Sequence, residues 1–500
     1  MKVLIPILRV LSTPHYETDL EIAQRHLDRG DSVHLLECTS SIPTCDYVLH
    51  HNAASCLKCI ERRKDGIQAL EPPPPTHGLL KLTTDDKKVL RDLPKAFESQ
   101  RELREFTVGE FDVGMAVVST LFSKTRKLNL DVSGERVQLV RDMVHTGVAV
   151  YLSMRNHLCE LSPDRVYVFN GRFNTVRAVL RACQTEDVEY YTHDRGHDLN
   201  HFETYKSTLP HDLRYIEQQI RQSWHGADPD TRHEEAERFY EQRAKGDIPN
   251  WHSFTDEQND DYLPERFNHR KHNVAVYPSS EDEFAAIGEE WENPIYEDQL
   301  SALQKVIDDL QGTPDIHLYV RVHPNLKEVE NTQTRGLWKL QDRDGVTIIP
   351  ADSPVSSYAL LRASDCVLTF GSTMGIEATY WRKPSVLAGM SLYRRLGGTY
   401  RPKTHEEVLA LLEESSLSPK PIKPALKYGY YQATKGVPFK YFEPTDVFEG
   451  LFRGEKIRVE DKFIKKVEVR LAESGKLDPL FRIISNFTYK NRKENVVLNK

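Results

Sequence analysis

The sequence predicts an α/β protein built from two Rossmann-like, doubly wound domains that face a cleft, with a C-terminal helical extension. Short apolar runs alternate with helical patterns along most of the chain, which is typical of parallel sheets covered by helices. The chain has 500 residues, more than one hydrophobic core usually holds. We therefore expect an N-terminal domain over 1–265, a second domain over 266–418 and a basic extension over 419–500.

The N-terminal domain opens with a strand, a helix and a second strand. Apolar strands are predicted at Val3–Ile7 and Ser32–Glu37, with an amphipathic helix at Leu20–Asp28 between them. A polar stretch over 201–270 closes the domain and predicts surface helices. The other elements expected in between are a cysteine-rich segment, a long helix over 134–158, a strand over 165–169, a helix over 174–184 and a strand over 188–197.

The second domain repeats the alternation more regularly. Each apolar strand ends in a short polar loop, and most of these loops lead into a helical pattern. In such sheets, ligands bind outside the carboxyl ends of the strands. The strands are expected within 272–280, 316–324, 345–350, 366–370 and 384–389, and the helices at 296–310, 357–364, 374–381 and 405–415.

Composition and charge describe an ordinary globular chain. Apolar residues make up 39% and charged residues 28%, and the formal charge of -8 argues against a nucleic-acid partner. The apolar run at the N-terminus is broken by Pro6 and Arg9, unlike a signal peptide. No apolar stretch approaches the ~20 residues of a membrane span. We expect a cytoplasmic protein whose membrane contact, if any, is peripheral and at the inner face.

Four of the seven cysteines cluster in the N-terminal domain, at Cys38, Cys45, Cys56 and Cys59. The last two form a Cys-x-x-Cys pair, whose spacing lets two thiolates share one tetrahedral ion. A structural zinc site is therefore one hypothesis. The alternative is a set of separately buried or surface thiols, because the other gaps in the cluster are irregular.

Three loops at strand ends carry candidate ligand-binding residues. The loop after the first strand of the second domain holds Ser279 and Ser280, which are candidates for contact with phosphate groups. Glu281 follows them and is either part of the site or a helix-start acid. His323 and Pro324 end another strand. A neutral imidazole at His323 can bind a phosphate, a ribose or a base edge, or it can simply bond a nearby carbonyl.

The third loop, Gly-Ser-Thr, runs from a strand directly into a helix. The hydroxyls of Ser372 and Thr373, together with free backbone N–H groups, suit a phosphate, or they simply cap the helix. Glu377 stands in the first turn. Because a carboxylate would repel a phosphate, we assign it to a sugar or ribose hydroxyl.

These two motifs, HPN and GSTMGIEATYWRKPSVLAG, resemble the C-terminal domain of capsule polysaccharide biosynthesis proteins, a family of GT-B glycosyltransferases that includes bacterial Kdo transferases. In that family an HP motif and an S-x-x-G-x-E motif bind the nucleotide of the donor sugar. The resemblance assigns His323 and Pro324 to the first motif, and Ser372, Gly375 and Glu377 to the second. It covers about the last third of the chain well and implies two facing domains.

The N-terminal domain is then expected to bind the acceptor and to supply a base. Bacterial sialyltransferases of similar layout carry an acidic pair before a glycine, where this chain has His193-Asp194-Arg195-Gly196 with a single carboxylate. Asp194 at a strand end suits proton abstraction, although a solvated surface turn is the alternative. Asn170 and Arg172 end the preceding strand and are expected beside it, with Arg172 suited to a phosphate or an acidic sugar.

The sequence therefore predicts a glycosyltransferase that moves a sugar from a nucleotide-sugar donor to a cell-surface or capsular polysaccharide. The resemblance favours a CMP-linked acidic sugar and leaves UDP open. A metal-dependent transferase would hold its metal with an Asp-x-Asp triplet at the carboxyl end of a strand. The two such triplets of this sequence, 228–230 and 342–344, are not at such ends, so no catalytic metal is expected. The rivals are a nucleotide-sugar 2-epimerase, whose Gly-Thr-Arg-Pro signature is missing from the first strand, and a non-catalytic nucleotide- or carbohydrate-binding protein of the same fold.

Overall fold

The structure is a computed structural model that describes residues 1–50, 52–247, 258–313, 315–341 and 343–457. The chain divides into two compact units. Unit 1 comprises Met1–Leu121, Leu130–Pro210 and Gly436–Lys500, and unit 2 comprises Phe122–Asn129 and His211–Lys435. Asp342 of the second acidic triplet and residues 458–500 of the expected extension lie outside the described residues.

The first half of the chain alternates strands with helices in the order expected of a Rossmann-like unit. Its elements are β1 (Lys2–Ile7), α1 (His15–Asp28), β2 (Ser32–Glu37), α2 (Ala53–Gln68), β3 (Thr76–Gly78), α3 (Thr84–Arg91), α4 (Gln100–Glu105), α5 (Val113–Thr125), α6 (Val137–Leu161), β4 (Arg165–Phe169), α7 (Asn174–Thr185), β5 (Tyr190–Arg195) and β6 (His201–Lys206).

The second half follows the same rhythm. Its elements are α8 (Leu213–Gly226), α9 (Arg232–Ala244), β7 (His272–Tyr277), α10 (Gln299–Leu310), β8 (Ile316–Arg321), α11 (Thr332–Trp338), β9 (Val346–Ile349), α12 (Ser357–Ala363), β10 (Cys366–Thr369), α13 (Met374–Tyr380), β11 (Ser385–Leu387), α14 (His405–Glu413), α15 (Lys423–Thr434), β12 (Val437–Pro438), β13 (Phe442–Pro444) and β14 (Gly450–Phe452), with 3₁₀ turns at Glu281–Glu283, Glu289–Trp291 and Pro324–Leu326.

Both main sheets have the same central strand order. In unit 1 the described strands run β12-β6-β5-β4-β1-β2-β3, and in unit 2 they run β11-β10-β7-β8-β9. Numbered within each unit, the five core strands follow the order 3-2-1-4-5, and all of their pairings are parallel. This is the Rossmann order, whose switch point lies between the first and fourth strands. The predicted fold class is confirmed for each unit.

The sheet of unit 2 is buried on both faces, which explains its nearly continuous apolar strands. Along β7, Val274 and Val276 belong to one hydrophobic cluster, while Ala275 and Tyr277 belong to another. β8 alternates in the same way, with Tyr319 on the second face. Because successive side chains of a strand point to opposite faces, the two clusters cover the two sides of the sheet.

The boundaries of the units differ from the expected domains. The break expected at 265 lies at Pro210, because α8 and α9 belong to unit 2. The expected separate extension over 419–500 is divided: α15 buries Leu426 and Tyr431 within unit 2, whereas Gly436 begins a return to unit 1. There β12 pairs antiparallel with β6. Sequence alone could not locate this return, since an edge strand as short as Val437–Pro438 carries almost no periodic signal.

The polar stretch after residue 200 also contains an element that the sequence analysis did not predict. β6 forms the antiparallel partner of β5, with Arg195 opposite Phe202. Only Phe202 and Tyr205 of this strand are buried, so its remaining polar residues hid the pattern. Among the described helices, none has the length and apolar character that a membrane crossing requires.

Candidate functional site

Two predicted loops of unit 2 leave the sheet side by side at its switch point. β7 and β10 are neighbours, with Tyr277 opposite Thr369. The Thr369 hydroxyl donates a 3.0 Å hydrogen bond to the Tyr277 carbonyl oxygen. The loops approach so closely that a Cβ added to Gly371 would lie 3.5 Å from the Ser279 hydroxyl. The structure therefore brings Ser279 and the Gly-Ser-Thr loop together.

The two serines after β7 differ in their bonding. The Ser280 hydroxyl donates to Asp282 at 2.6 Å and accepts from the Arg126 guanidinium at 2.6 Å. The Ser279 hydroxyl is buried and has no hydrogen-bond partner among the described residues. A buried polar group without a partner is costly, and a ligand at the strand end would relieve that cost.

Glu281 lies in the same buried loop. One carboxylate oxygen of Glu281 accepts from the Gln299 backbone N–H at 3.3 Å, and the other has no partner within the described structure. Burial, reinforced by the negative charge of Asp298, raises the pKa of Glu281 to about 7. Near neutral pH this carboxyl is therefore present in both its acid and its base form, and the acid form can donate a hydrogen bond.

His323 follows β8 and is held as a neutral imidazole. Its Nδ1 accepts the backbone N–H of Asn325 at 3.1 Å, so the proton of the neutral ring resides on Nε2. Burial lowers its pKa to about 4, and the positive charges of Arg126, Arg243 and Arg321 contribute to the shift. Pro324 starts the 3₁₀ turn that fixes this geometry.

Arg126 and Arg243 are functional candidates that the sequence analysis missed. Arg126 forms a 2.9 Å ion pair with Asp282 and donates a 3.2 Å hydrogen bond to the Asn325 side chain. Arg243 on α9 donates to the Thr373 hydroxyl at 3.3 Å. Both stand far along the chain from the loops they contact, and no local pattern in the sequence marks them.

Some polar groups of the Gly-Ser-Thr loop form hydrogen bonds within the protein. The Ser372 hydroxyl accepts at 3.3 Å from the backbone N–H of Met374, the first residue of α13. Thr373, the N-cap residue, forms no side-chain cap, and its hydroxyl contacts Arg243 instead. The expected phosphate-binding residues therefore lie together, but Ser372 also has a structural role.

Glu377 is placed differently from the role expected of it. Its side chain is fully buried. One carboxylate oxygen accepts the Tyr358 hydroxyl at 2.5 Å, and the other accepts the Arg243 guanidinium at 3.2 Å. Although burial opposes the charge on Arg243, Glu377 raises the pKa of this guanidinium above its ordinary value. In this structure Glu377 holds the Arg243 guanidinium in place, and this guanidinium, not the Glu377 carboxylate, contacts the Gly-Ser-Thr loop.

Asp194 of unit 1 lies beside Asn170, as the sequence predicts. β4 and β5 are parallel neighbours, and the Asn170 amide donates to the Asp194 carboxylate at 2.8 Å. The second carboxylate oxygen accepts the Arg195 backbone N–H at 2.8 Å. Asn170 adopts the left-handed conformation, with φ 52°, which this residue type tolerates better than most. Arg172 is buried, with its guanidinium 4.7 Å from the centre of the Phe173 ring.

His15 and Arg9 are close enough to Asp194 to interact with its charge. His15 is buried against Phe169, with ring centroids 4.0 Å apart, and its Nδ1 has no partner among the described residues. Burial lowers the pKa of His15 well below its ordinary value, whereas the charge of Asp194 acts in the opposite direction. Arg9, which the sequence analysis did not select, follows β1 and is also buried on the Phe169 ring. Unit 1 thus also gathers polar side chains at its switch point.

The four clustered cysteines line one cavity of about 50 Å³ in unit 1. Burial raises the pKa of Cys45 to about 11 and that of Cys56 and Cys59 to about 12. Their sulfur atoms do not form a group of three within 4.8 Å in the described part of the chain. The donor set suits zinc, and the sulfur spacing in the described chain is wider than a tetrahedral thiolate site requires.

The fold and the two clusters define the class: an α/β protein with two Rossmann-like units, each of which gathers polar residues at the switch point of its sheet. Residues 293–418 match the family model described as capsule polysaccharide biosynthesis protein. The matched segment contains His323, Pro324, Ser372, Gly375 and Glu377, so the resemblance predicted from the two motifs is confirmed.

Solved structures to which this chain is similar include two KpsC transferases from Thermosulfurimonas dismutans. The beta Kdo 2,4 transferase is 15% identical, with 54% of this chain and 79% of that chain covered and a TM-score of 0.37. The beta Kdo 2,7 transferase is 16% identical, with 64% and 89% covered and a TM-score of 0.35. MnaA from S. aureus, solved with UDP, is 12% identical, with 89% and 93% covered and a TM-score of 0.25. No curated protein sequence matches the chain.

Gly375 is explained by its surroundings and gives a first prediction. A Cβ there would lie 2.4 Å from the Tyr393 hydroxyl and 2.5 Å from a Thr369 methyl. We expect Gly375→Ala to destabilise unit 2 by about 1–3 kcal/mol through overpacking. The control is Gly226→Ala at the end of α8, where no atom lies within 4 Å. Urea unfolding followed by tryptophan fluorescence reports on unit 2, because its described part holds Trp224, Trp291, Trp338 and Trp381, whereas the described part of unit 1 holds none. Equal stability of the two variants would contradict the packing argument.

His323 gives a prediction about pH. Its pKa falls from 6.5 to about 4 on folding, so the unfolded chain binds more protons between these pH values. The free energy of unfolding of unit 2 should therefore decrease as the pH drops from 6.5 to 4, with about 2–3 kcal/mol of the decrease due to His323. His323→Gln should remove this contribution to the pH dependence of the free energy of unfolding. His269→Gln, which changes an exposed histidine, should leave the contribution in place. The measurement is urea unfolding at a series of pH values, and identical pH dependence of His323→Gln and wild type would disprove the assignment.

Proposed function

We propose that this protein is a GT-B glycosyltransferase that moves a sugar from a nucleotide donor to a cell-surface or capsular polysaccharide. The observation that carries the proposal is the cluster in unit 2. Neutral His323, the orphaned Ser279 hydroxyl and the guanidinium groups of Arg126 and Arg243 gather at the carboxyl ends of β7, β8 and β10. Fixed cations around a polar loop suit the phosphate of a nucleotide.

The donor half of the reaction uses this cluster. The bond between the anomeric carbon and the phosphate oxygen breaks, and negative charge develops on the departing phosphate. Arg126 and Arg243 stabilise that charge because Asp282 and Glu377 already hold them in place. The Nε2–H of His323 donates to a phosphate or ribose oxygen. These residues leave no step that requires a metal ion, and the transfer is proposed to be metal-independent.

The acceptor half uses unit 1. The acceptor hydroxyl attacks the anomeric carbon, and its proton passes to the Asp194 carboxylate. One oxygen of that carboxylate accepts a hydrogen bond from the Asn170 amide and the other accepts the Arg195 backbone N–H, and these bonds orient the carboxylate. Arg172 is the proposed contact for an acidic group of the sugars. The resemblance favours a CMP-linked acidic sugar, a cytoplasmic location and peripheral membrane contact, and it leaves UDP open.

The cysteine cluster is proposed as a structural site in addition to the catalytic one. Four thiols around one small cavity form a donor set that suits zinc, and a bound ion would hold α2 against the segment after β2. The thiols would have to lose their protons on binding, against the effect of burial on their pKa values. This site takes no part in the transfer step.

Donor binding is the first test. Calorimetry with CMP, UDP and GDP should reveal one preferred nucleotide, and His323→Ala should weaken its binding about tenfold or more by removing a hydrogen bond to an anionic ligand. The control is His317→Ala on β8, the strand that His323 follows; the His317 ring bonds the Thr347 hydroxyl at 2.8 Å, away from the carboxyl end of the strand. Absence of binding to all three nucleotides would refute the proposal, whereas binding without any sugar transfer would favour the non-catalytic alternative.

The base assignment is tested separately with Asp194→Asn. This variant keeps the shape of the side chain and should bind the nucleotide as the wild type does, while the rate of transfer falls by about 10²–10⁴. Asp187→Asn alters an exposed carboxylate of the same unit and should leave the rate unchanged. Product formation is measured with and without EDTA, which also tests metal independence. A wild-type rate in Asp194→Asn would exclude Asp194 as the base.

A further inference from the structure

The turn between β5 and β6 gathers two histidines and an aspartate. The ligand atoms of His197, Asp198 and His201 all lie within 4.8 Å of one another, and within the described ranges no other group of three such residues does so. His197 Nε2 is 3.5 Å from one Asp198 oxygen, and His201 Nδ1 is 2.5 Å from the other. The two imidazole rings are 4.0 Å apart between centroids.

The backbone of this turn is fixed from both sides. The Gly196 N–H donates to the His201 carbonyl oxygen at 2.9 Å, which closes the hairpin. On the opposite edge β12 pairs Pro438 with His201, and the Phe439 N–H donates to the Asn200 carbonyl oxygen at 2.8 Å. Preorganised ligands lose little conformational entropy when an ion binds.

The guanidinium of the neighbouring Arg195 is directed at backbone carbonyl groups and not at Asp198. One nitrogen of the Arg195 guanidinium donates to the backbone carbonyl oxygens of Thr13 and Val447, each at 3.0 Å. Asp198 receives one other bond, the Asn200 N–H at 2.8 Å, which orients its carboxylate. The side chains of His197, Asp198 and His201 are 21%, 27% and 23% exposed, so an ion can reach them from solvent.

We propose that His197, Asp198 and His201 bind a divalent first-row transition metal ion. Two imidazoles and one carboxylate suit zinc, cobalt, nickel or manganese, whereas magnesium and calcium prefer sites made only of oxygen atoms. Three protein ligands leave at least one coordination position for water or for an anionic group. The ion would clamp the β5–β6 turn, which begins two residues after Asp194. This site is independent of the proposed sugar transfer.

The test is a Co²⁺ titration of the metal-free full-length protein, followed by absorption spectroscopy. The site should bind one ion per chain with the weak visible bands of nitrogen and oxygen ligation, in addition to any ion that the cysteine cluster binds, and this binding should raise the melting temperature. His201→Ala and Asp198→Asn should each weaken binding by about tenfold or more. Circular dichroism confirms that each variant is folded, and His197→Gln replaces any variant that is not.

Two control variants separate this site from other metal-binding groups. His77→Ala removes the contact in which His34 Nδ1 lies 3.0 Å from His77 Nε2, and Cys56→Ser disrupts the cysteine cluster. Both should retain the weak visible bands. An intense charge-transfer band that Cys56→Ser abolishes would support the cysteine site, because only thiolates produce it. Absence of the weak visible bands, or their persistence in folded His201→Ala and His197→Gln, would overturn the proposal.

Discussion

The buried carboxylate of Glu377 is the interaction on which the rest of the candidate donor site depends. Removing one partner from a buried ion pair costs about 3–5 kcal/mol, so Glu377 and Arg243 hold each other firmly. Tyr358 completes the set of hydrogen bonds to the carboxylate. The pair fixes a guanidinium at Thr373, and this positive charge contributes to the neutrality of His323. A single acid inside the fold thus positions one of the cations that surround these loops.

The same principle explains how both units place chemistry at their switch points. At a switch point the connections that follow two neighbouring parallel strands run to opposite faces of the sheet, which opens a crevice whose loops can carry polar groups. In unit 2 the gap lies between β7 and β10, and in unit 1 it lies between β1 and β4. Unit 2 collects positive charge beside hydroxyls, whereas unit 1 presents a carboxylate oriented by Asn170. The cations of unit 2 therefore suit an anionic group, whereas the carboxylate of unit 1 suits a group that donates a proton or a hydrogen bond.

Much of the fold could be predicted because local periodicity reflects burial. β1, β2 and β4 have the expected limits, or nearly so, since an apolar run bounded by polar residues is a strong signal. β6 and β12 were missed because edge strands bury few side chains. The unit boundary was misplaced because α8 and α9 look like surface helices in sequence, whereas their apolar faces pack against α15.

The alternation of strands and helices, the polar loops at the strand ends and the neighbouring positions of Asn170 and Asp194 follow from the amino-acid sequence. These features depend on residues that are close in sequence or on neighbouring strands. The inward position of Glu377 and the approach of Arg243 and Arg126 to the loops follow from the packing of the folded chain. The contact between Arg243 and Glu377 joins residues 134 positions apart. No local pattern encodes such a contact, because the two charges meet only after the chain has folded, and their attraction in the low-dielectric interior then offsets the cost of removing them from water.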